Sequence, residues 1–257
     1  MNRIKIRYGE HTQQFGHFYP PADAAGPVPV VVVIHGGFWK SDYSLAVESA
    51  FCRDLVEHGV AVWNIEYRRL GAGGHWPEMS ADVVAAFNAL TGPVADAAPI
   101  ELDLTQVRVI GHSAGGQLAV WLAGQRGLNM PIGWVVSQAG ALDLVTASER
   151  GRRISYIEDL FGVSYDDDPQ VYRSASPMHR VPIGVPVLCL HGDDDAQVPV
   201  SVSRRYADAA EASGDEVVLN VLADTDHFAF LAPGSAAWER SRAAVLATSF
   251  AEAAHTR

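Results

Sequence analysis

The 257-residue chain predicts an α/β protein with a doubly wound, mostly parallel sheet. Apolar, β-branched runs alternate along the chain with segments of helical periodicity, which is the order that parallel strands with crossover helices require. The composition is 48% hydrophobic, enough to cover both faces of such a sheet. No linker, charge block or repeat divides the sequence, so we expect a single domain over residues 1–257.

The amino terminus predicts an antiparallel hairpin at one edge of the sheet. Ile4, Ile6 and Tyr8 alternate with polar residues, and a second apolar segment runs from Phe15 to Tyr19 after a Gly-Glu turn. The other predicted strands are apolar runs without strict alternation, as expected for strands covered on both faces. These runs are 28–34, 60–65, 107–110, 132–137, 185–190 and 217–222.

Helices are predicted between the strands from apolar residues spaced three to four apart. The segment 118–123 is apolar nearly all round and must be buried. Residues 139–182 are polar and turn-rich, so we expect a small cap or lid excursion facing substrate there, with a short helix at 154–161. The other predicted helices cover 45–56, 81–90, 200–212 and 236–254.

Charge and hydropathy argue against a nucleic-acid partner and against a membrane span. The formal net charge is -11 with scattered acidic residues, which argues against a nucleic-acid surface. The first residues lack the apolar region of a signal peptide, and no run of about 18 apolar residues occurs, so we expect no membrane span. A cytoplasmic location is the default expectation, and the oligomeric state stays open.

The chain has two cysteines, Cys52 in a predicted helix and Cys189 in a predicted strand. Their separation in sequence favours reduced core thiols, although it leaves a disulfide open. No histidine, cysteine or acidic residues have the spacing of a zinc or iron site. We therefore expect no metal and no cofactor.

Residues Val107 to Gly116 predict a strand, a tight turn and a helix, with Ser113 on the turn. In a Gly-x-Ser-x-Gly turn the serine takes a strained backbone conformation, and only small residues fit beside it. The turn exposes the hydroxyl next to a helix amino terminus, where free N–H groups stabilise developing negative charge. Ser113 is therefore the candidate nucleophile. The alternative is an ordinary N-cap of a core helix.

A serine hydroxyl is a poor nucleophile at neutral pH and needs a base within hydrogen-bond reach. His227 follows the last predicted strand and is the candidate base among the chain's 10 histidines. His35, His112 and His191 also follow strands, each beside a glycine. We expect these three rings to bond backbone groups and shape loops.

The base needs a carboxylate that holds its tautomer. Asp193, Asp194 and Asp195 follow the strand before the last one, and the next helix begins near Val198 to Pro199. That spacing favours Asp195, which lies beyond the turn, and leaves its two neighbours as turn or solvent-facing groups. Asp226 adjoins His227, but neighbours on a loop seldom point the same way, so it is the weaker alternative.

A glycine-rich segment, His-Gly-Gly-Phe-Trp at 35–39, follows the first central strand. Its glycines let the backbone approach a ligand with N–H groups pointing inward, and Ala114 is expected to supply another donor. Loss of one oxyanion donor lowers turnover by about 10²–10³. The alternative is an ordinary strand-to-helix turn.

These motifs resemble the α/β-hydrolase superfamily, in the branch with His-Gly-Gly loops that includes hormone-sensitive-lipase-like esterases, feruloyl-esterase-like proteins and kynurenine formamidases. The resemblance covers nearly the whole chain and implies the α/β-hydrolase fold. It also implies oxyanion donors at Gly37, Phe38 and Ala114, with a conformational role for Gly36. The residues that carry it are 35–39, 66–70, 76–77, Asp82, 111–116, 191–199 and 226–227.

Together, these features predict a cofactor-free serine hydrolase that acts on a small-molecule ester or amide through an acyl-enzyme. Ser113, Asp195 and His227 form the expected triad, in the chain order serine, acid, histidine. A protein that binds ligands on the same fold without turnover is the rival from another class.

The alternative enzyme is a kynurenine formamidase, or arylformamidase. Phe38 and Trp39 stand where many lipase-like esterases carry a third glycine, and His-Gly-Gly-x-Trp resembles the form found in formamidases. Trp39, Trp76 and Phe228 are the candidate substrate contacts, as an apolar wall for an aromatic or acyl group. Core packing is the alternative role for these rings.

Overall fold

The computed structural model describes residues 3–149 and 155–255. In these residues eight strands, numbered in chain order, form one sheet in the order β1-β2-β4-β3-β5-β6-β7-β8. Their bounds are β1 Ile4–Arg7, β2 Phe15–Tyr19, β3 Val28–Ile34, β4 Ala61–Ile65, β5 Leu102–His112, β6 Ile132–Gln138, β7 Val187–Gly192 and β8 Val217–Leu222.

The two amino-terminal strands form the predicted hairpin at the sheet edge. β1 pairs antiparallel with β2, Ile4 facing Phe18, and β2 pairs antiparallel with β4. From β4 through β8 all neighbouring strands are parallel. The doubly wound, mostly parallel sheet with antiparallel amino-terminal strands is therefore confirmed.

The strand order reverses at β3, which lies between β4 and β5. In open α/β sheets such a reversal opens a crevice at the carboxyl ends of the strands. Ile34 at the end of β3 pairs with Gly111 near the end of β5. The residues that follow these two strands, 35–39 and 112–114, are therefore neighbours in space.

Helices cover both faces of the sheet. Their bounds are α1 Ser49–Glu57, α2 Glu78–Asn88, α3 Pro93–Ala97, α4 Ala114–Ala123, α5 Leu144–Glu149, α6 Ser155–Phe161, α7 Pro169–Ala175, α8 Ser201–Ala212, α9 Ala236–Leu246 and α10 Phe250–His255. One core cluster includes residues of α2, α4, α7 and α8, and the other includes residues of α1, α9 and α10.

The central strand β3 shows why both faces must be apolar. Val30, Val32 and Ile34 belong to the first cluster, whereas Val31 and Val33 belong to the second. Successive side chains of a strand point to opposite faces, so a continuous β-branched run fills both layers at once.

Several helices differ from the sequence-based prediction. Residues 236–254 form two helices, because Ser249 and Glu252 make a capping pair that starts α10. The Glu252 amide donates to Ser249 Oγ at 3.2 Å, and Glu252 Oε2 accepts the Thr248 amide at 2.7 Å. The short helix α3 was not predicted. It starts at Pro93, a residue suited to the first turn of a helix.

The excursion at 139–182 is more helical than its sequence indicates. It contains α5, α6, α7 and a short 3₁₀ turn at Pro177–His179. The predicted helix at 154–161 is observed as α6, while residues 150–154 lie outside the described part. A lid role for this excursion stays a prediction.

Both cysteines are free and buried, as expected for core thiols. Cys52 packs in the cluster with α1, α9 and α10, and Cys189 packs in the cluster on the other face of the sheet. Within the described residues, no helix has the length and apolar character needed to cross a membrane.

Candidate active site

The candidate nucleophile lies on the turn between β5 and α4. Ser113 has φ 56° and ψ −117°, a conformation that side-chain-bearing residues rarely adopt. A Cβ on Gly111 would lie 2.2 Å from the carbonyl oxygen of Gly115, and one on Gly115 would lie 2.0 Å from that of Ile34. Only glycine fits these flanking positions, so the packing of α4 on the sheet maintains the strained turn.

The amino terminus of α4 begins immediately after this serine. Gln117 donates the first helical hydrogen bond, to the Ser113 carbonyl at 3.1 Å, so the amide of Ala114 precedes the intrahelical pattern. Within the described residues, the Ser113 side chain makes no capping hydrogen bond to α4. The N-cap interpretation therefore does not account for this serine.

Asp195 and His227 meet at the carboxyl ends of β7 and β8. The Nδ1 atom of His227 lies 2.6 Å from Asp195 Oδ2, and the two side chains are 3% and 0% exposed. Asp195 Oδ1 accepts the amides of Gln197 and Val198 at 2.8 Å each. Both carboxylate oxygens are therefore used, one to hold the imidazole and one to hold the turn.

Burial alone would raise the pKa of Asp195, but hydrogen bonds from His191, His227 and the Val198 amide lower it far below its usual value. The carboxylate is thus ionised at neutral pH. A negative Asp195 favours a proton on Nδ1 of His227, which leaves Nε2 to act as a base.

The other candidate acids do not contact this imidazole. Asp226 Oδ1 accepts the amides of Phe228 and Ala229 at 2.9 Å each, so it caps the loop that carries His227. Asp193 and Asp194 are exposed on the surface.

His112 links the serine turn to the histidine loop. Its Nε2 donates to the carbonyl oxygen of His227 at 2.9 Å, and the two ring centroids are 4.7 Å apart. Complete burial, followed by the charge of His227, lowers the pKa of His112 to about 3, so the ring is neutral at pH 7. Because His112 precedes Ser113 in the chain, this bond places the loop of His227 beside the serine turn.

Residues 36–39, here called the oxyanion loop, lie against the serine turn. Gly37, Phe38 and Trp39 have φ of 118°, 55° and 56°, three successive residues in the left-handed region. A Cβ on Gly36 would lie 3.2 Å from the Cβ of Ser113. The loop therefore brings its backbone to within contact distance of Ser113, and Gly36 is needed for that approach.

The BD-FAE family model matches residues 17–209, about three quarters of the chain and including both the oxyanion loop and the serine turn. The chain belongs to the BD-FAE family. This match, with the relatives and solved structures below, confirms the resemblance to esterase-like α/β-hydrolases.

Curated relatives and solved structures agree with the BD-FAE assignment. The chain is 27% identical to Esterase LipC of Mycobacterium tuberculosis over 82% of its length, and 23% identical to the isoprenylcysteine alpha-carbonyl methylesterase ICME of Arabidopsis thaliana over 88%. It spans 56% of each of these relatives, little more than half their length.

Among solved structures, a truncated carbohydrate esterase from gut microbiota superposes with a TM-score of 0.77 at 19% identity, covering 88% of this chain and 89% of that one. An inhibited esterase B from Lactobacillus rhamnosis superposes with a TM-score of 0.76 at 21% identity, covering 94% and 85%. These structures share the fold of this BD-FAE chain, the α/β-hydrolase fold.

The three candidate substrate contacts lie in different environments. Trp39 is 2% exposed and donates from Nε1 to Gln117 Oε1 at 3.0 Å. Trp76 is 8% exposed and packs edge-on against Trp121 at 5.0 Å. Phe228 is 52% exposed beside the ring of His227. The placement of Phe228 suits a contact with substrate, while the two tryptophans have packing partners of their own.

Sequence analysis did not single out the aromatic partners of Phe38. The Phe38 ring lies 5.3 Å from that of Tyr156 on α6 and 6.3 Å from that of Tyr43. Tyr156 also approaches Trp39, at 6.2 Å. No local signal marks Tyr156, because its contact depends on how the 139–182 excursion folds back over the oxyanion loop.

A polar cleft of about 720 Å³ adjoins the oxyanion loop on the side of α6. Lys40, Asp42, His75, Glu158 and Ser164 are among its lining residues.

Proposed function

We propose that this BD-FAE chain is a serine hydrolase that cleaves carboxylic esters of small molecules through an acyl-enzyme. The observation that carries the proposal is the 2.6 Å bond between Asp195 and His227, together with the His112 bridge from His227 to the serine turn. A hydroxyl on a strained turn, an oriented imidazole and a covered carboxylate are the parts that nucleophilic ester cleavage requires.

In the proposed first step, Nε2 of His227 takes the hydroxyl proton as Ser113 Oγ attacks the ester carbonyl carbon. Asp195 stabilises the imidazolium that forms. The amides of Gly37, Phe38 and Ala114 are the proposed donors to the tetrahedral oxyanion.

Collapse of the tetrahedral intermediate breaks the bond to the leaving alcohol, which takes its proton from His227. The acyl group stays on Ser113 Oγ. Water then attacks the acyl-enzyme with His227 as base, and the acid product leaves with the free hydroxyl restored. No step needs a cofactor.

Ester cleavage is favoured over formamide cleavage by two observations. The relatives named above are an esterase and a methylesterase. The tryptophan that suggested a formamidase, Trp39, is buried and bonded to Gln117, which is an anchoring role for the loop that does not depend on the substrate.

Two measurements test the proposal. A fluorophosphonate probe should label the folded protein at Ser113, and a Ser113→Ala variant should not be labelled. In a panel of short and long p-nitrophenyl esters, an aryl amide and N-formylkynurenine, we expect the highest kcat/KM for an ester. Failure of the folded protein to label would support a binding function instead, and a strong preference for N-formylkynurenine would support the formamidase.

A further inference from the structure

A single carboxylate joins both ends of the segment that carries the oxyanion loop. Glu66 directly follows β4, and its Oε1 accepts a hydrogen bond from His35 Nε2 at 2.9 Å. Its Oε2 accepts the amide of Leu45 at 3.1 Å. His35 immediately precedes the loop and Leu45 lies beyond it. One side chain therefore fixes the distance between the two ends.

The surroundings of the buried Glu66 carboxylate favour its ionised form. It is 1% exposed, and Oε1 also accepts the Tyr67 amide at 3.1 Å and lies 3.2 Å from Arg69 Nε in an ion pair. Burial alone would raise the pKa of Glu66, but the His35 hydrogen bond and the charges of His35 and Arg69 lower it below its usual value. Because both carboxylate oxygens of Glu66 accept hydrogen bonds, the buried group is satisfied in its ionised form.

The His35 ring carries this constraint into the loop. Its Nδ1 lies 2.7 Å from the carbonyl oxygen of Gly36, and Tyr67 stacks on the ring at 4.5 Å. The Gly36 carbonyl can only accept, so Nδ1 donates to it, while the Glu66 carboxylate on the other side of the ring fixes the ring's orientation.

The Gly36 carbonyl and the Gly37 amide belong to one peptide plane. Because that unit is planar and trans, fixing the direction of the carbonyl also fixes the opposite direction of the N–H. The Gly37 N–H is one of the proposed oxyanion donors. The chain of contacts thus runs from Glu66 through the His35 ring to the Gly36 carbonyl, and from there to the N–H group of the proposed oxyanion donor.

We propose that Glu66 is a positioning residue for the oxyanion loop, which orients the Gly37 N–H through the His35 ring without touching substrate. This inference rests on the proposed esterase function. It assigns to the buried acid after β4 a role in transition-state stabilisation, in addition to its contribution to folding.

The test is the variant Glu66→Gln, which keeps the size of the side chain but replaces one accepting oxygen with an NH₂ group. Using p-nitrophenyl acetate, we expect kcat to fall by about 10-fold or more, since loss of one oxyanion donor costs about 10²–10³. KM should stay within about 3-fold, because the ground-state carbonyl depends little on donors aimed at the tetrahedral oxygen. Inhibition by phenylboronic acid, which forms a tetrahedral adduct, should weaken by a factor similar to the loss in kcat/KM.

Asp215→Asn is the matched control. Asp215 is also a buried acid, and its two oxygens accept the amides of Ile183 and Gly184 at 2.8 Å each. It precedes β8 and so lies at the amino ends of the parallel strands, opposite the ends that carry the candidate site. We expect this variant to lower Tm while kcat, measured below its unfolding range, stays as in the wild type. A purely structural role of Glu66 would give the same pattern as this control.

Titration of active sites with the fluorophosphonate normalises kcat to folded enzyme. If Glu66→Gln gives no folded protein, Glu66→Asp carries the test, because the shorter carboxylate keeps its charge but cannot span both ends of the segment. Wild-type kcat per titrated site in the folded variant would overturn the inference. A wild-type protein that neither labels nor cleaves esters would instead overturn the proposed function.

Discussion

The Asp195 side chain performs two tasks with its two oxygens. Oδ2 holds His227, while Oδ1 holds the turn formed by Gln197 and Val198. A second imidazole, that of His191, lies 3.3 Å from Oδ2 and donates to the Val198 carbonyl at 2.8 Å. The acid is therefore fixed on several sides, which limits the ways in which His227 can reorient.

We expect Asp195→Asn to keep its fold and to lose about 10⁴ in kcat, because the amide no longer favours a proton on Nδ1 of the imidazole. The measurement is the steady-state hydrolysis of p-nitrophenyl acetate, with circular dichroism to check the fold. Asp226→Asn is the control and should retain near-normal turnover, since Asp226 caps the loop through backbone amides. Near-normal activity of Asp195→Asn would shift the role of acid to another residue.

At this scale, sequence reasoning was informative where a role depends on local spacing. Asp195 was preferred over its two aspartate neighbours from its position between a strand and a helix, and the structure places its carboxylate against His227. The burial of Trp39 was not predictable, because its partner Gln117 is 78 residues away in sequence. Such contacts depend on the tertiary fold.

At the scale of elements, the close approach of α4 to β3 and β5 holds the serine turn in place. Gly111 and Gly115 leave no space for a side chain between the helix and the strands. Because α4 is buried along its whole length, a shift that relieves a clash there would disturb a large part of one core layer.

We therefore expect Gly115→Ala to destabilise the protein strongly, by about 3 kcal/mol or more, which lowers Tm by about 10 °C in a domain of this size. Gly26→Ala is the matched control, because a Cβ there meets nothing within 4 Å, and it should change Tm by less than about 2 °C. The measurement is thermal unfolding by circular dichroism. A Gly115→Ala protein as stable as the control would show that α4 can move without cost.

Element types followed from periodicity more reliably than element ends. The continuous run at Val28–Ile34 predicted β3 with its observed bounds, since seven apolar residues suit a strand buried on both faces. The break between α9 and α10 was missed although Ser249 and Glu252 have the spacing of a capping box. The short helices α5 and α7 lack a strong apolar stripe in their own sequence and depend on packing against the core.

At the scale of the whole molecule, two buried titratable groups give stability a dependence on pH. Glu48 is 2% exposed, and within the described residues its Oε1 has no hydrogen-bond partner. Burial raises the pKa of Glu48 to about 8 from 4.5. His112 acts at lower pH: burial lowers its pKa from 6.5 to about 3, so stability is lost as the pH falls through that window.

Of Glu48 and His112, only Glu48 makes stability depend on pH above pH 6.5. There the folded state keeps a proton that the unfolded state has released, so the free energy of unfolding falls as the pH rises towards 8. We expect a loss of up to about 2 kcal/mol between pH 6.5 and 8, at about 1.4 kcal/mol per unit. Urea unfolding at several pH values measures this slope. Glu48→Gln should flatten the slope, and an unchanged slope in that variant would contradict the assignment.

The two cysteines lie in the two different core layers, so each thiol can report on the opening of its own layer. Burial raises the pKa of Cys189 to about 12 and that of Cys52 well above its usual value, so neither thiol is reactive while it is covered. Each belongs to a different side of the sheet. Alkylation by iodoacetamide, followed by mass mapping of the modified peptide, would therefore report which side of the molecule detaches first, with no engineered label.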